Sequence, residues 1–401
     1  MSDVEIRTLT EPDLRTAIDL FRVALHAPTV PDEQWEHARH SFEPGRTLGA
    51  FAGDRMVGTA LAYTSSLVVP GGRVLPMAAV TRVGVRADFR RRGVLRELMR
   101  AQLADVAARG EVFAGLRATE PVIYGRFGYG VANLAVKRVL LPRGARVRPE
   151  VPAGGEVRFL EPAAARELLP RLYARVGQSR AGTMARPPQW WCSVYDRPFA
   201  MGEFLLVAAH FGADGPDGFV AYRPKAADQP GKGAALSVED FVAPTPEVAS
   251  ALWRFLLGVD LVEELTVWTR PADEPVEAML EDSRAVRDHR VVPDLWTRIV
   301  DVPAALAGRD YGAGSVVVEV VDEGIPANSG RYRVGADGVE RTAAAAELSV
   351  DVEVLSMLYM GASQPSALAG IGRVRELAEG AAQRADAVFA VPEAAWCGTF
   401  F

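Results

Sequence analysis

The spacing of hydrophobic and polar positions predicts strands interleaved with helices along the first 145 residues. Residues 4–7 alternate as in a short strand, and residues 10–13 provide a helix cap, an early proline and an acid three positions after the cap. Apolar residues then recur at helical spacing as far as position 25, so a helix is predicted there. Residues 47–85 have the β-branched and aromatic character of antiparallel strands, separated by glycine-containing turns.

The strongest local pattern is a strand, an arginine-rich loop and a helix. An apolar strand over residues 77–85 leads into Arg90-Arg91-Arg92-Gly93, and a helix is predicted to begin at Val94 and to end at Gly110. A further strand over residues 112–116 and a short helix near Tyr124 follow. This order of elements predicts an α/β layer with a ligand at the strand ends.

The opening pattern of the chain returns after residues 143–156, which are rich in Pro, Gly and Arg and are predicted to form a linker. Residues 156–162 resemble residues 5–12 with one residue deleted, and a helix is predicted after both, which indicates a degenerate internal repeat. The second strand–loop–helix unit would span residues 236–257. Residues 242–248 stand there in place of the arginines, so the repeat keeps the scaffold and loses the basic loop.

The pattern changes again from about residue 291, where strand-like segments precede helical ones. The predicted strands cover residues 296–300, 316–321 and 330–334, and the predicted helices cover residues 352–360 and 366–379. Strands followed by helices favour a third, α+β domain. We therefore expect an α/β (α+β) chain with domains at residues 1–145, 146–290 and 291–401. The apolar end, residues 396–401, is expected to be buried because exposed termini are generally polar.

Composition excludes several classes of protein. With 49% hydrophobic and 24% charged residues, the 401-residue chain is typical of globular proteins and long enough for two or three domains. A net charge of −6 disfavours nucleic-acid binding, and no apolar run reaches the roughly 18 residues of a membrane span. The polar, acidic start argues against a signal peptide. Cys192 and Cys397 alone predict neither a disulfide framework nor a metal site, so a reducing, cytoplasmic location is expected.

The loop before the second helix suits a phosphate-bearing ligand. Backbone N–H groups at a helix N-terminus are free and carry the positive end of the helix dipole, arginines add charge, and Gly93 lets a ligand approach the backbone. A solvated basic turn or a nucleic-acid patch is the alternative. The preceding apolar strand and the immediate amphipathic helix favour a pyrophosphate site.

Residues 83–96, VGVRADFRRRGVLR, resemble the acetyl-CoA motif of the GNAT N-acetyltransferases, in which V-x-V is followed by R/Q-x-x-G-x-G/A at the start of a helix. The RRRGVL form, with IYGRFGYG at residues 123–130, is similar to the Eis (enhanced intracellular survival) acetyltransferases, and Leu95 at the G/A position is itself Eis-like. The resemblance covers the whole chain and implies two tandem GNAT folds, the second degenerate, followed by a sterol-carrier-protein-like domain. It also implies acetyl-CoA as co-substrate and a homo-hexamer built as a trimer of dimers.

The resemblance implies a role for each matching residue. The backbone of residues 83–85 (Val83, Gly84 and Val85) would pair with the pantetheine arm, and Thr119 and Glu120 would flank the acyl end. Tyr124 would be the general acid that protonates the departing thiolate, and the Phe401 carboxylate would be the general base for the amine. The pyrophosphate would be held, chiefly through backbone N–H groups, by Arg91, Arg92, Gly93, Val94, Leu95 and Arg96.

These roles agree with the chemistry of acetyl transfer to an amine, which needs a neutral nucleophile, an oxyanion stabiliser and a proton for the sulfur. A free α-carboxylate has a pKa of about 3.5, and burial beside the rings of Phe400 and Phe401 is expected to raise it in the useful direction. A tyrosine with a pKa near 10 can donate to a thiolate of comparable basicity. Taken alone, Tyr124 fits a structural role better.

Three further residues are candidates for the acceptor pocket. His26 lies near the end of the first predicted helix, Trp35 could form an aromatic wall for a cationic acceptor, and Phe400 precedes the terminal residue. Eis proteins that modify aminoglycosides can carry acids at the end of the first helix and beside the terminal Phe, where this chain has His26 and Phe400. Trp190 and Trp191 are expected in the core of the second domain.

We therefore expect an acetyl-CoA-dependent N-acetyltransferase that acts on a small-molecule amine, of the polyamine-like kind to which aminoglycosides belong. A lysine or peptide N-acetyltransferase with the same catalytic residues is one alternative. A non-catalytic protein that binds acyl-CoA or a lipid, using the sterol-carrier-like domain, is the other. The degenerate second copy is expected to bind no CoA.

Overall fold

The computed structural model describes residues 4–152, 154–227 and 233–401, and its strands form three sheets. The first seven strands are β1 (Glu5–Thr8), β2 (Thr47–Ala52), β3 (Arg55–Val68), β4 (Val74–Val85), β5 (Phe113–Leu116), β6 (Gly130–Val131) and β7 (Leu134–Leu140). The next six are β8 (Glu156–Leu160), β9 (Leu206–Gly212), β10 (Gly215–Lys225), β11 (Ala234–Val242), β12 (Val262–Pro271) and β13 (Val286–Pro293). The last six are β14 (Trp296–Ile299), β15 (Ser315–Val321), β16 (Gly330–Gly335), β17 (Gly338–Arg341), β18 (Leu348–Asp351) and β19 (Arg375–Glu376).

The helices pack on these sheets. The first seven are α1 (Leu14–Ala24), α2 (Asp32–Ala38), α3 (Val94–Ala108), α4 (Pro121–Tyr124), α5 (Pro162–Val176), α6 (Pro188–Trp191) and α7 (Arg197–Ala200). The others are α8 (Pro246–Leu257), α9 (Val276–Met279), α10 (Val302–Gly308), α11 (Val352–Tyr359), α12 (Pro365–Gly370) and α13 (Ala381–Val388). Within the described ranges, no helix has the length and apolar character needed to cross a membrane.

The first sheet has the strand order β1-β2-β3-β4-β5-β14-β6 and contains the predicted strand–loop–helix unit. β4 and β5 are parallel neighbours joined by α3. The buried side of α3 follows the predicted apolar stripe and includes Val94, Leu98, Met99, Leu103 and Val106. Before α1, the backbone N–H of Thr10 donates to the carboxylate of Asp13, as the capping pattern predicts. The predicted α/β layer is therefore confirmed.

The second sheet, in the order β13-β7-β12-β11-β10-β9-β8, repeats this plan. β8 leads into α5 as β1 leads into α1, and the parallel strands β11 and β12 are joined by α8. The hydroxyl of Thr245 accepts a hydrogen bond from the backbone N–H of Val248, and Pro246 occupies the first position of α8. The predicted strand–loop–helix unit over residues 236–257 is present, with a capped start in place of the basic loop.

Two strands cross between these sheets. β7 precedes the predicted boundary at residue 145 but lies between β12 and β13 in the second sheet. β14, predicted as part of the third domain, pairs with β5 and β6 in the first sheet, where Trp296 is opposite Leu116 and Val131. The assignment of residues 296–300 to the third domain is therefore wrong. Periodicity identifies a strand but leaves its partner open, so a segment can be recognised and still be placed in the wrong sheet.

The third sheet has the order β17-β16-β15-β18-β19 and is packed by α10 to α13. The strands predicted at residues 316–321 and 330–334 correspond to β15 and β16, and the predicted helix at 352–360 corresponds to α11. The helix predicted over residues 366–379 is too long, because α12 ends at Gly370 and β19 follows. Gly372 has a φ of +78°, the left-handed conformation that commonly ends a helix.

Candidate active site

β4 and β5 separate along their length and leave one edge of β4 without a partner. Their pairing covers Met77–Ala79 opposite Phe113–Gly115, whereas β4 continues to Val85. A β-bulge shifts the register of β4 against β3 near Arg82, whose backbone is left-handed with a φ of +52°. Residues 83–85 therefore line a cavity with backbone groups that, among the described residues, no strand pairs with on that side.

This cavity has a volume of about 2780 Å³ and is bounded by the first domain, the third domain and the end of the chain. The third domain contributes the segment after β15 and the start of α11. Most of the residues singled out in the sequence line it: His26, Val83, Gly84, Val85, Arg91, Gly93, Val94, Leu95, Arg96, Thr119, Glu120, Tyr124, Phe400 and Phe401. The structure thus brings together residues from both ends of the chain, while their individual roles stay predictions.

Arg92 and Trp35 do not line the cavity. The Arg92 guanidinium lies 4.8 Å from the centroid of the Phe89 ring. The Trp35 ring packs edge-on against Phe42, with ring centroids 6.5 Å apart, and the guanidinium of Arg15 lies 5.3 Å from it. The expectation that Trp35 walls the acceptor pocket is corrected by this placement, because α2 packs the ring against the hydrophobic core.

The loop before α3 presents backbone N–H groups and arginines to the cavity. Gly93 is the N-cap residue of α3 and has a φ of +82°, and Arg91 has a φ of +62°, which is costly for a residue with a side chain. Left-handed residues in such a loop allow successive N–H groups to converge on an anion. Gly93 has no side chain that could cap the helix, so the first N–H groups of α3 remain available to a ligand.

The glycines around Tyr124 allow close contact with the third domain. A Cβ atom on Gly125 would lie 3.0 Å from the carboxylate of Glu353, and one on Gly130 would clash with the backbone oxygen of the same residue. A Cβ atom on Gly128 would lie 2.7 Å from Nε of Arg298, and its φ of +81° is left-handed. The glycine run therefore lets α11 and β14 pack against the short helix that carries Tyr124.

Tyr124 lies in the cavity wall with its ring partly buried. The ring is edge-on to that of Tyr129, with centroids 5.9 Å apart. Burial raises the pKa of Tyr124 above its usual value of 10, and burial also raises the pKa of Tyr129. The Tyr124 hydroxyl therefore keeps its proton at neutral pH, which is the state a general acid needs.

The last residues of the chain reach the cavity with alternating burial. Cys397 and Thr399 are buried, whereas Phe400 is 73% exposed and Phe401 is half-buried. The prediction that the apolar terminus is buried thus holds for Cys397 and Thr399, holds in part for Trp396, Gly398 and Phe401, and is wrong for the Phe400 side chain. That ring stays exposed at the cavity, where the guanidinium of Arg117 lies 5.3 Å from its centroid.

Sequence reasoning missed two residues that hold the terminus. Nε of Arg117 donates to the backbone oxygen of Thr399 at 3.0 Å, and the indole N–H of Trp190 donates to that of Phe400 at 2.6 Å. Arg117 directly follows β5, where ligand-binding residues collect in α/β sheets, so its position was a usable signal. Trp190 is buried as expected, but nothing in its local pattern indicates the second contact.

Two groups of like charges stand out among the charged residues that line the cavity. The loop before α3 and α3 itself contribute arginines: Arg86, Arg90, Arg91, Arg96 and Arg100. The third domain contributes acids: Asp322, Glu323, Asp351 and Glu353. Glu323 and Asp351 are exposed, whereas Asp322 and Glu353 are paired with arginines of the same protein. The arginine group is therefore suited to a phosphate-bearing ligand and the acidic group to a cationic one.

Known domain families match the chain in three successive parts. The GNAT acetyltransferase domain matches residues 5–132, and a second GNAT acetyltransferase domain matches residues 182–299. A sterol carrier protein domain matches residues 302–398. The predicted architecture of two tandem GNAT folds followed by a sterol-carrier-like domain is therefore confirmed.

Relatives cover most of the chain. An uncharacterized N-acetyltransferase of Streptomyces coelicolor is 38% identical over 383 residues, which are 91% of this chain and 92% of that protein. N-acetyltransferase Eis of Mycobacterium tuberculosis is 36% identical over 357 residues, which are 85% of each chain. The crystal structure of Eis1 from Mycobacterium abscessus has a TM-score of 0.89 and 37% identity, over 99% of this chain and 100% of that one. The chain therefore belongs to the Eis family of GNAT N-acetyltransferases and is an acyltransferase.

Proposed function

We propose that this chain transfers the acetyl group of acetyl-CoA to an amine of a polyamine-like acceptor, such as an aminoglycoside. Tyr124 is the general acid and the C-terminal carboxylate of Phe401 is the general base. The observation that carries the proposal is that Tyr124 and Phe401, from distant parts of the chain, line one cavity into which the unpaired edge of β4 leads.

GNAT-fold acetyltransferases use acetyl-CoA as the acyl donor, and the arginines that line this cavity support the binding of its phosphates. When bound, it supplies the thioester carbonyl that the amine attacks. The unpaired edge at residues 83–85 offers backbone groups to the amides of a pantetheine arm. The left-handed backbone at Arg91 and Gly93 and the N–H groups of α3 offer donors to a pyrophosphate.

The two proton transfers balance. An alkylammonium ion has a pKa near 10, so the acceptor first releases one proton to the solvent and becomes a neutral amine. The neutral amine loses a second proton as its C–N bond forms, and the Phe401 carboxylate accepts that proton. The Tyr124 hydroxyl donates its proton to the sulfur as the C–S bond breaks. Because burial raises the pKa of Tyr124, the hydroxyl is protonated at the start of each cycle. Exchange with water returns both groups to their starting states.

The acids of the third domain that line the cavity support a cationic acceptor. Glu323 and Asp351 are exposed there, and the Phe401 carboxylate adds a further negative charge near the reacting amine. His26 and Phe400 stand where aminoglycoside-modifying Eis proteins can carry acids. Recognition of a polycation by this chain would therefore depend on other acids that line the cavity, among them Glu323 and Asp351 of the third domain.

Thiol release from acetyl-CoA tests the proposal, with untagged or N-terminally tagged protein. The acceptors are kanamycin, spermidine, a lysine-containing peptide and an arylamine. We expect release with kanamycin or spermidine, and we expect Tyr124→Phe to lower kcat by about 100-fold. Tyr129→Phe is the matched control, because the Tyr129 hydroxyl is buried, has no hydrogen-bond partner in the part of the chain that the structure describes, and does not line the cavity.

The outcomes separate the alternatives. If thiol is released only with the peptide, the acceptor is a lysine side chain rather than a polyamine-like molecule, and the proposed catalytic residues are unaffected. Firm binding of acetyl-CoA without release in the presence of any amine would overturn the proposal in favour of a non-catalytic binding protein.

A further inference from the structure

We infer that the second domain positions the terminal carboxylate in the cavity of the first domain, with Trp190 and Arg186 as the positioning residues. The inference rests on the proposed function, because positioning matters for turnover only if Phe401 supplies the base. The tail is defined here as residues 394–401. Its contacts with the second domain carry the inference.

The tail is held along the second domain before it enters the cavity. The backbone N–H of Ala394 donates to the carboxylate of Asp273 at 2.9 Å, and that of Trp396 donates to the backbone oxygen of Ala181 at 2.8 Å. Gly182 leaves room for this approach, because a Cβ atom there would lie 2.7 Å from the Trp396 nitrogen. These bonds engage the backbone of the tail, so they fix its path rather than one side chain.

Two buried side chains of the second domain hold the tail close to its end. The indole N–H of Trp190 donates to the backbone oxygen of Phe400 at 2.6 Å, and Nε of Arg186 donates to the hydroxyl of Thr399 at 3.1 Å. Both donors are buried, so water competes weakly for these acceptors. The bond to Phe400 is one residue from the terminal carboxylate and limits the directions in which that carboxylate can point.

Arg186 is itself fixed by a buried network. Its guanidinium makes two bonds to the Asp240 carboxylate, at 2.6 and 2.9 Å, and the Tyr195 hydroxyl donates to the same carboxylate at 2.7 Å. The rings of Tyr173 and Trp190 flank the guanidinium at 3.9 and 4.2 Å. Burial alone would lower the pKa of Arg186, but Asp240 raises it above its usual value, so the group stays charged. A bidentate pair of this kind fixes the direction of the remaining Nε–H bond toward the tail.

The network lies where the first copy has its cavity wall. β11 pairs with β12 only as far as Val238, and Asp240 lies in the part of β11 that continues beyond that pairing, as residues 83–85 do in β4. Tyr173 belongs to α5, the counterpart of α1. The second copy therefore uses the corresponding face to hold a segment of its own chain instead of a ligand.

The first experiment measures the release of Phe401 by carboxypeptidase A from the folded full-length protein. The variants are Trp190→Phe and Thr399→Val; the second replaces a hydroxyl with a methyl group and leaves both partners of the Arg186–Asp240 pair in place. We expect each to release Phe401 about 10-fold faster than the wild type, because Trp190→Phe loses the bond to the Phe400 oxygen and Thr399→Val loses the bonds of its hydroxyl to Arg186 and Tyr173.

The control for this experiment is Trp253→Phe. It removes a buried indole N–H of the same domain that donates to Glu274, so we expect the wild-type rate of release. Equal rates for the wild type, Trp190→Phe and Thr399→Val would overturn the inference.

The second experiment measures kcat with the acceptor that gives the fastest thiol release. We expect Trp190→Phe to lower kcat about 10-fold with the KM for acetyl-CoA unchanged, and to have no effect in protein that lacks Phe401. A loss of kcat that persists without Phe401 would overturn the positioning role. Full activity without Phe401 would instead refute the proposed base, and the carboxypeptidase rates would still decide whether the second domain holds the tail.

Discussion

The first two sheets share a plan and differ at the point where their central parallel strands separate. In the first sheet, β4 and β5 part after Ala79 and leave the open cavity. In the second, β11 and β12 part after Val238 and Val267, but Arg270 of β12 reaches across and donates to the backbone oxygen of Phe241 in β11 at 2.9 Å. The GNAT strand order can therefore be kept when the cavity is lost, since in the second sheet one side chain bridges the gap between the two parallel strands.

The bridging arginine is held by a partner of its own. Glu274 accepts two bonds from Arg270, at 2.5 and 2.9 Å, and one from the indole N–H of Trp253 at 3.0 Å. Burial would raise the pKa of Glu274, but Arg270 lowers it below its usual value, so the carboxylate stays ionised. The buried ion pair of Arg270 and Glu274 therefore fills the gap between β11 and β12, and we call this pair the plug.

The two helix starts show the same contrast. α3 begins at Gly93, which offers no side chain to its own helix. α8 begins with Thr245, whose hydroxyl accepts from the N–H of Val248, and Pro246 has no N–H to offer. In the second copy, one backbone N–H at the helix start is bonded by the Thr245 side chain and another is missing at Pro246. The corresponding N–H groups of the first copy remain available for the proposed pyrophosphate.

The largest expected effect concerns the plug. Arg270→Met leaves Glu274 buried without its main partner, so we expect the free energy of unfolding to fall by about 3–5 kcal/mol. Urea denaturation measures the change. Arg284→Met is the control, because Arg284 pairs with Asp282 on the surface and is expected to change stability by less than about 1 kcal/mol. A loss for Arg270→Met no larger than the control would mean that the gap is closed by something other than the pair.

In the first domain, we expect the largest loss of kcat from a change to the Phe401 carboxylate. A short extension after Phe401 converts the α-carboxylate into an amide and displaces it, so we expect kcat to fall by about 100-fold. The same extension placed at the N-terminus is the control and is expected to leave kcat unchanged. Wild-type kinetics from the C-terminally extended protein would remove Phe401 from the mechanism.

A smaller effect is expected at the start of α3. Gly93→Ala forces a side chain into the left-handed region at a cost of about 1 kcal/mol, and we expect acetyl-CoA to bind about 5-fold more weakly. Gly110→Ala is the matched control, because Gly110 follows the other end of the same helix with a φ of +71° and open space around its Cβ position. Calorimetry should show weaker binding for Gly93→Ala only. Equal affinities in both variants would place the pyrophosphate elsewhere.

The last prediction is that the second copy binds no acetyl-CoA. Because the second gap is bridged by Arg270 and the start of α8 is capped, we expect calorimetry to give one acetyl-CoA per chain. A stoichiometry of two would contradict this expectation, because it would show that the second copy also binds acetyl-CoA.

Local patterns predicted what depends on local structure. The apolar stripe of α3, the capping box at Thr10 and Asp13 and the glycine at the start of α3 each follow from spacing over a few residues. The family resemblance of residues 83–96 and 123–130 predicted a set of site residues, and most of them line one cavity in the structure. Tyr124 and Phe401 share that cavity, and their catalytic roles stay predictions.

Long-range pairings were beyond the reach of the sequence. The pairing of β14 with β5 and the reach of Arg270 to Phe241 each join segments that are distant along the chain. Such contacts are chosen by the sum of many weak interactions in the folded state, and no periodicity records them. Trp190 shows the limit well, since a buried tryptophan with a core pattern also bonds the end of the chain.

The exchange of β7 and β14 has a consequence for how the protein is made. The first sheet lacks β14 until residue 299 has left the ribosome, and at about 5–20 residues per second the interval after β6 lasts roughly 10–30 s. During that time the edge of β5 lacks its β14 partner, so the first sheet depends on the repeat being translated before it can be completed. A fragment cut at residue 145 would carry β7 without its sheet and a first sheet without β14, so neither half of the duplication can complete its sheet alone.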